Sequence, residues 1–239
     1  MNTLLRFLLF AAVLCICFFG LAAIGQSTTP NPELTQIKAA VQHVITGNDR
    51  FVSSRKELSF TSQIAGQHPK ATVVSCSDSR VQADSIDQDP EGDLFMVREI
   101  GNQVISGEGS IEYGVRHLHT PLLLIVGHSS CGAVEAAMGD YSGLEPAIKR
   151  DLDTLKIPKG NVGDDRVVMS RVELNVNEQV KFALEKFAPE VALGKLTVLG
   201  AVYDFRNDYR QGHGRLVFVN VNGTVDPAQI RVLMQIYKH

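Results

Sequence analysis

The chain has 239 residues, 44% of them hydrophobic and 21% charged, with a formal net charge of −3. This is a globular composition, long enough for one large domain or two small ones. The weak charge and the lack of a basic run argue against a nucleic-acid partner, and no acidic tail suggests disorder.

The N-terminus reads as a secretory signal. Arg6 is its only charge, residues 7–24 are apolar apart from Gly20, and Ala23-Ile24-Gly25 is a small-x-small cleavage site. The expected signal peptide is residues 1–25, with export to a periplasm or the exterior and no membrane contact after cleavage. The same run is just long enough to span a bilayer, so an uncleaved anchor over residues 7–24 is the alternative. Cys15 and Cys17 lie inside it and do not form a good lipoprotein box. Two of the four cysteines then remain, Cys76 and Cys131.

Asn31-Pro-Glu33 is a helix start, with a capping Asn, Pro at the first helical position and an acid at the positive dipole end. Leu34, Ile37, Val41, Val44 and Ile45 follow at helical spacing, and Gly47-Asn-Asp breaks the pattern. Those apolar positions belong either in the core or against a second subunit. A turn at Gly66-Gln-His-Pro69 leads into a strand over residues 71–76. A second strand is expected over 94–98, then a helix over 107–118 with Ile111, Val115 and Leu118 on one face.

Residues 122–128 form an unbroken apolar run, as a strand buried on both faces requires. A helix starts at 131–138, and residues 139–165, carrying Gly, Asp and Pro, read as irregular. Val168, Val172, Val176, Val180, Leu184 and Phe187 mark a long amphipathic helix. Strands over 196–203 and 216–221 and a helix over 227–237 complete the chain. The alternation predicts an α/β fold with a mostly parallel central sheet of four strands, flanked by helices, with an N-terminal helical arm. The short link holding Asn207-Asp208, Gly212 and Gly214 suggests a hairpin, which makes the last strand an antiparallel edge.

The chemistry concentrates in two strand-end stretches, Val73-Val-Ser-Cys-Ser-Asp-Ser-Arg80 and His128-Ser-Ser-Cys131. In an exported protein two cysteines read first as a disulfide. Asp78, Arg80 and His128 point elsewhere, because a structural disulfide needs none of them. Cys76, His128 and Cys131 can serve as three ligands of a tetrahedral zinc with one position left open. Zinc lowers the pKa of bound water to about 7 in favourable cases, and two thiolates make that water less acidic than an all-His site does. Asp78 could close the site as a fourth ligand or accept a hydrogen bond from zinc-bound hydroxide. Arg80 can hold the carboxylate bidentately and draw it off the metal. Taken alone, an Asp-x-Arg pair is a surface salt bridge of small value.

These stretches resemble the β-class carbonic anhydrases. The resemblance runs over roughly residues 34–223 and is carried by Cys76-Ser-Asp-Ser-Arg80-Val, Gly92-Asp-Leu-Phe-Met-Val-Arg98, Ser110-Ile-Glu-Tyr113 and Gly127-His-Ser-Ser-Cys-Gly132. It implies one catalytic domain over residues 26–239, a Zn2+ held by two Cys and one His, an Asp–Arg dyad, and reversible hydration of CO2 to bicarbonate and a proton. It also implies a homodimer as the smallest unit, with homotetramers common and the site near the subunit interface. By position, Gln67 matches a substrate-binding glutamine that acts across that interface, and Phe95 and Tyr113 match an aromatic pair lining the pocket. The plainer alternatives are a solvated turn for Gln67 and core packing for the rings. His117 matches a proton-relay position but could equally be a surface histidine. Gly132 places a backbone N–H at a helix start near the metal, suited to an oxyanion.

The chain departs from the family at Arg98-Glu99, where many members have Arg-Asn, and at Thr72-Val73, where some bacterial members carry a Trp of an inhibitory bicarbonate pocket. Two other functions stay open: a related zinc hydrolase of CS2 or COS, and a non-catalytic zinc or bicarbonate-binding protein.

Overall fold

The computed structural model describes residues 32–55 and 60–237. The expected signal or anchor and the Asn31 cap lie outside those residues. Among the described residues, no helix is long and apolar enough to cross a membrane. The chain divides into two compact parts, one ending at Ser62 and one beginning at Gln63.

In the first part, helix α1 (Pro32–Ser54) runs through Gly47-Asn-Asp, where a break was expected. A glycine inside a helix costs only about 1 kcal/mol, and Phe51 and Val52 continue the apolar stripe beyond it. Leu34, Ile37, Val41, Val44 and Ile45 are all exposed within this chain. A single turn, α2 (Thr61–Ile64), follows.

The second part is built on a five-stranded sheet. Its strands are β1 (Ala71–Ser75), β2 (Leu94–Arg98), β3 (Leu122–His128), β4 (Thr197–Asp204) and β5 (Arg215–Val221), in the order β2-β1-β3-β4-β5. The first four are parallel, and β5 returns antiparallel to β4 as the sequence suggested. Alternate residues of β3 face opposite layers. Leu123 and Ile125 enter one core with Val74, Val198 and Val202; Leu124 and Val126 enter the other with Val73, Leu199 and Ile230.

Helix α3 (Glu108–Glu112) gives way to a π turn over Tyr113–His117, in place of the continuous helix expected over 107–118. The widened turn sits where Gly114 meets β1: a Cβ on Gly114 would lie 2.1 Å from the Thr72 hydroxyl. Helix α4 (Gly132–Met138) follows β3 directly. Helix α5 (Pro146–Asp153) occupies the stretch expected to be irregular. Pro146 opens it, and Leu152 and Leu155 anchor it against Ala137. Helix α6 (Asp165–Lys186) is capped by Asp164, which accepts a bond from the Arg166 N–H. It buries Val168, Val172, Val176 and Val180, each worth roughly 1.5–3 kcal/mol. The short α7 (Ala188–Ala192) and the last helix, α8 (Pro227–Ile236), complete the part.

Two glycines let α6 lie close to the sheet beside His128. A Cβ on Gly127 would lie 2.7 Å from Val176, and one on Gly200 would lie 2.7 Å from Val176 and 2.9 Å from Val180. Neither strand position could carry a side chain without moving the helix.

Candidate metal centre

The chain leaves β1 toward β2 on one side and reaches β3 on the other, so the sheet order reverses between β1 and β3. In open α/β sheets, ligands bind outside the carboxyl ends of the strands at such a point. Cys76 directly follows β1, His128 is the last residue of β3, and Cys131 caps α4. Their ligand atoms all lie within 4.8 Å of one another, and all three residues are buried. One zinc with sulfur at ~2.3 Å and nitrogen at ~2.0 Å requires ligand atoms closer together than that limit, so the spacing suits it.

The imidazole is set up as a ligand. His128 Nδ1 lies 2.9 Å from the Ser129 carbonyl oxygen. A carbonyl can only accept, so Nδ1 carries the proton and Nε2 presents its lone pair. Nε2 is buried and, among the described residues, has no hydrogen-bond partner. Coordination would satisfy an atom that is otherwise costly to bury. The two thiols are coupled through a hydrogen bond. The hydrogen bond from Cys131 pulls the Cys76 thiol down to about 4, against burial. The same bond, together with burial, pushes Cys131 well above the ordinary thiol range. A divalent cation bound to both sulfurs displaces that remaining proton. The residues present therefore fit zinc.

Asp78 lies beside this cluster, with Oδ2 at 3.9 Å from His128 Nε2. Arg80 holds it in a fork: Nε donates to Oδ1 at 2.9 Å and Nη2 to Oδ2 at 2.6 Å. The Arg80 backbone N–H adds a third bond to Oδ1 at 2.9 Å. These bonds hold the Asp78 carboxyl well below the usual carboxylate range, against a smaller opposing effect of burial.

Arg98 braces the same loop. It is the last residue of β2 and pairs in register with Ser75. Its Nε donates to the Cys76 carbonyl at 3.2 Å and its Nη2 to the Asp78 carbonyl at 2.7 Å. Arg98 stands in the Gly92–Arg98 motif, but nothing in the sequence marks this bracing task. Glu99, the departure beside it, has its carboxyl pushed up by burial and by the charge of Asp151.

The pocket residues form a second group. The Phe95 and Tyr113 rings lie 6.0 Å apart, and Tyr113 stacks on His117 at 5.6 Å. Tyr113, His117 and Gln67 are exposed, while Phe95 packs partly into the core. Gly132 is the exposed first residue of α4, and a Cβ there would meet nothing within 4 Å, so packing does not demand glycine.

Sequence reasoning missed three consecutive residues that brace the ligand loop. Asp204 is buried and accepts from the Ser129 hydroxyl at 3.0 Å, and Phe205 and Arg206 reach the neighbouring residues. No local pattern marks them. Ser130, between the two ligands of that loop, adopts φ +51, which costs a non-glycine residue on the order of 1 kcal/mol.

Fold and site together define an α/β protein with a buried Cys2His cluster, able to hold a metal, at the switch point of a parallel sheet. The family model for carbonic anhydrase matches residues 71–210. The chain is 35% identical over 173 residues to carbonic anhydrase 2 of Mycobacterium tuberculosis, covering 66% of this chain and 83% of that protein. It is 32% identical over 176 residues to a carbonic anhydrase of Mycolicibacterium smegmatis, covering 66% and 84%. Among solved structures, the Coccomyxa β-carbonic anhydrase in complex with acetazolamide matches with a TM-score of 0.59 at 26% identity, over 74% of this chain and 84% of that one. A tetrameric β-carbonic anhydrase from Sordaria macrospora shares the fold with a TM-score of 0.65 at 24% identity, over 76% and 98%. The chain belongs to the β-class carbonic anhydrase family and is an enzyme of that kind.

Proposed function

We propose that the chain reversibly hydrates CO2 to bicarbonate and a proton at a zinc ion held by Cys76, His128 and Cys131. Bound there, zinc supplies the Lewis acidity that makes water a nucleophile near neutral pH. The chain does the rest. The Ser129 carbonyl fixes the His128 ring, and Arg80 holds the Asp78 carboxylate turned to one side. Asp78 Oδ2 faces the ligand cluster and accepts a hydrogen bond from the attacking water, aiming its lone pair at the carbon of CO2. If the Arg80 fork opened, the Asp78 carboxylate would be free to turn toward a bound zinc and would no longer orient the water. The Gly132 N–H stabilises charge developing on the substrate oxygen. Phe95 and Tyr113 wall the pocket, with Gln67 contributed across a subunit interface, and His117 hands the released proton to solvent.

One observation carries this reading. The buried His128 ring offers a ligand nitrogen within 4.8 Å of both cysteine sulfurs, and its Nε2, without a partner among the described residues, lies 3.9 Å from Asp78 Oδ2. Metal analysis combined with stopped-flow CO2 hydration tests it, with COS and CS2 run in parallel. About one zinc per chain and turnover of CO2 are expected. A metal-free protein, a zinc protein without turnover, or one that turns over only COS or CS2 would each overturn it.

The proposal extends to assembly and place. The exposed apolar face of α1 suits packing on a second subunit, in a homodimer or a homotetramer, and light scattering distinguishes either from a monomer. Residues 1–25 direct export and are removed, leaving residues 26–239 as the single catalytic domain in the periplasm or outside the cell. N-terminal sequencing from cell fractions should give a start near Gln26. A start at Met1 in soluble cytoplasm would rule export out, and a start at Met1 in membranes would support an anchor over residues 7–24.

A further inference from the structure

The connection from β4 to β5, residues 205–214, takes no part in the mechanism above, yet it is tightly built and closes on the metal centre. Asp204 accepts from the N–H groups of Asp208 at 2.9 Å and Tyr209 at 2.8 Å, and Asn207 Oδ1 accepts from the Gly212 N–H at 2.8 Å. The Tyr209 hydroxyl donates to Glu173 on α6 at 2.7 Å. A loop tied down this way can deliver side chains to fixed positions.

It delivers two. The Phe205 ring stacks on His128, with centroids 6.1 Å apart, and the Arg80 guanidinium lies 4.9 Å over the same ring. One aromatic ring thus neighbours both a metal-ligand candidate and the arginine of the fork. Arg206 Nη1 donates to the Ser130 hydroxyl at 3.0 Å and to Asp165, in the first turn of α6, at 2.6 Å. Arg80 Nη2 donates to the Ser130 carbonyl at 3.0 Å. Ser130 is therefore gripped at both ends by arginines, in the left-handed turn that brings His128 and Cys131 together.

We propose that Phe205 and Arg206 are positioning residues for the metal centre. Phe205 sets the Arg80 guanidinium and the His128 ring relative to one another, a cation–π contact and a ring stack on one side chain. Arg206 locks the Ser130 turn to the N-terminus of α6, so the spacing of His128 and Cys131 is set by a helix distant in sequence. The inference rests on the reading that Cys76, His128 and Cys131 hold zinc.

The test uses the zinc-loaded full chain, with zinc release to a chromophoric chelator and the visible spectrum of the cobalt(II)-substituted protein as readouts besides activity. Phe205→Leu keeps apolar bulk without a π face, and Arg206→Met keeps the stem without the fork. Losing a group that supports metal ligands typically costs about 10- to 100-fold in metal affinity or activity, and each variant should release zinc faster by that order. The cobalt spectrum should change in both, while melting temperature stays close to the parent's. Arg206→Lys, which cannot hold Ser130 and Asp165 with one planar fork, should fall between parent and Arg206→Met, and it serves if Arg206→Met does not fold. Phe205→Tyr, which keeps the ring, should behave as the parent, and Phe205→Met serves if Phe205→Leu does not fold. A variant with parental release and spectrum removes that residue from the proposal, and both behaving so overturns it. A parent that binds no zinc would instead sink the functional reading on which the inference stands.

Discussion

Replacing Arg80 with alanine tests the proposal that this arginine keeps the Asp78 carboxylate away from a bound zinc. In the parent, Asp78 receives three bonds from Arg80, two from the guanidinium and one from the backbone N–H. Alanine keeps only the backbone bond to Oδ1, so Oδ2, the oxygen 3.9 Å from His128 Nε2, loses its 2.6 Å bond. The stability effect should be small. The Arg80 side chain is 50% exposed against 19% for Asp78, and such pairs contribute about 0–1 kcal/mol. The activity effect should be larger. A hydrogen bond to a charged group is worth about 1.5–3 kcal/mol, and once it is gone a bound cation becomes the nearest partner for Oδ2. The lower end of that range corresponds to a loss of at least ~10-fold in rate, since ~1.4 kcal/mol of barrier is a factor of ten.

Protonation does not account for such a loss at neutral pH. Arg80 depresses the Asp78 carboxyl, and without it the group returns toward ~3.9, still ionised at pH 7. Arg80→Lys should recover only part of the activity, because an ammonium cannot reproduce the fork. The assay is the pH–rate profile of parent, Arg80→Ala and Arg80→Lys, with crystal structures of the first two. Parent activity should rise with pH, with a midpoint above 7. Near-parent activity in Arg80→Ala, with Asp78 still off the metal, would reduce the pair to a surface salt bridge and refute the mechanism.

Other outcomes follow from the same geometry. His128→Ala should abolish CO2 hydration and weaken zinc retention, read by metal analysis after dialysis; full zinc content with full activity would remove His128 from the ligand set. Asp204→Asn should destabilise by about 1–3 kcal/mol at neutral pH, because one amide oxygen cannot satisfy the donors now held by two carboxylate oxygens. Burial pushes the Asp204 carboxyl up, but the bonds from Tyr209, Asp208 and Ser129 overcome it and hold its pKa below the ordinary value. The parent's advantage over Asp204→Asn is therefore present above ~3.9 and lost as pH falls through the lower folded value, which urea titrations across acid pH will show. Gly127→Ala should cost about 1–3 kcal/mol in melting experiments, because its Cβ would lie 2.7 Å from Val176; an unchanged melting point would mean that α6 shifts freely over the sheet.

Much of the site could be read from the chain because its chemistry is local. Cys76, Asp78 and Arg80 alternate along one strand end, and His128 and Cys131 stand three apart, so ligand type and spacing are visible without a fold. Strand β3 and helix α6 were legible for a related reason: an unbroken apolar run and a helical stripe are properties of neighbouring residues. The misses have the opposite character. Helix α5 is short and flanked by Gly, Asp and Pro, and its Leu152 and Leu155 matter only once Ala137 lies against them. The π turn at Tyr113–His117 answers to Thr72 on another strand, and α1 continued through Gly47 because one glycine is too weak a signal to end a long helix.

What the sequence alone determined is the donor set, the helix and strand alternation and the family resemblance, all of which rest on residue type and short-range period. Only the tertiary structure decided the strand order β2-β1-β3-β4-β5, and with it the meeting of the Cys76 loop and the Cys131 cap at one point. It also decided that Arg98 grips the first loop and that Asp204, Phe205 and Arg206 grip the second. The reason is physical. Ladder hydrogen bonds form between any two backbones, so strand order is settled by burying both faces of the whole sheet, and a bond between side chains 75 or 76 positions apart leaves no periodic trace in the chain.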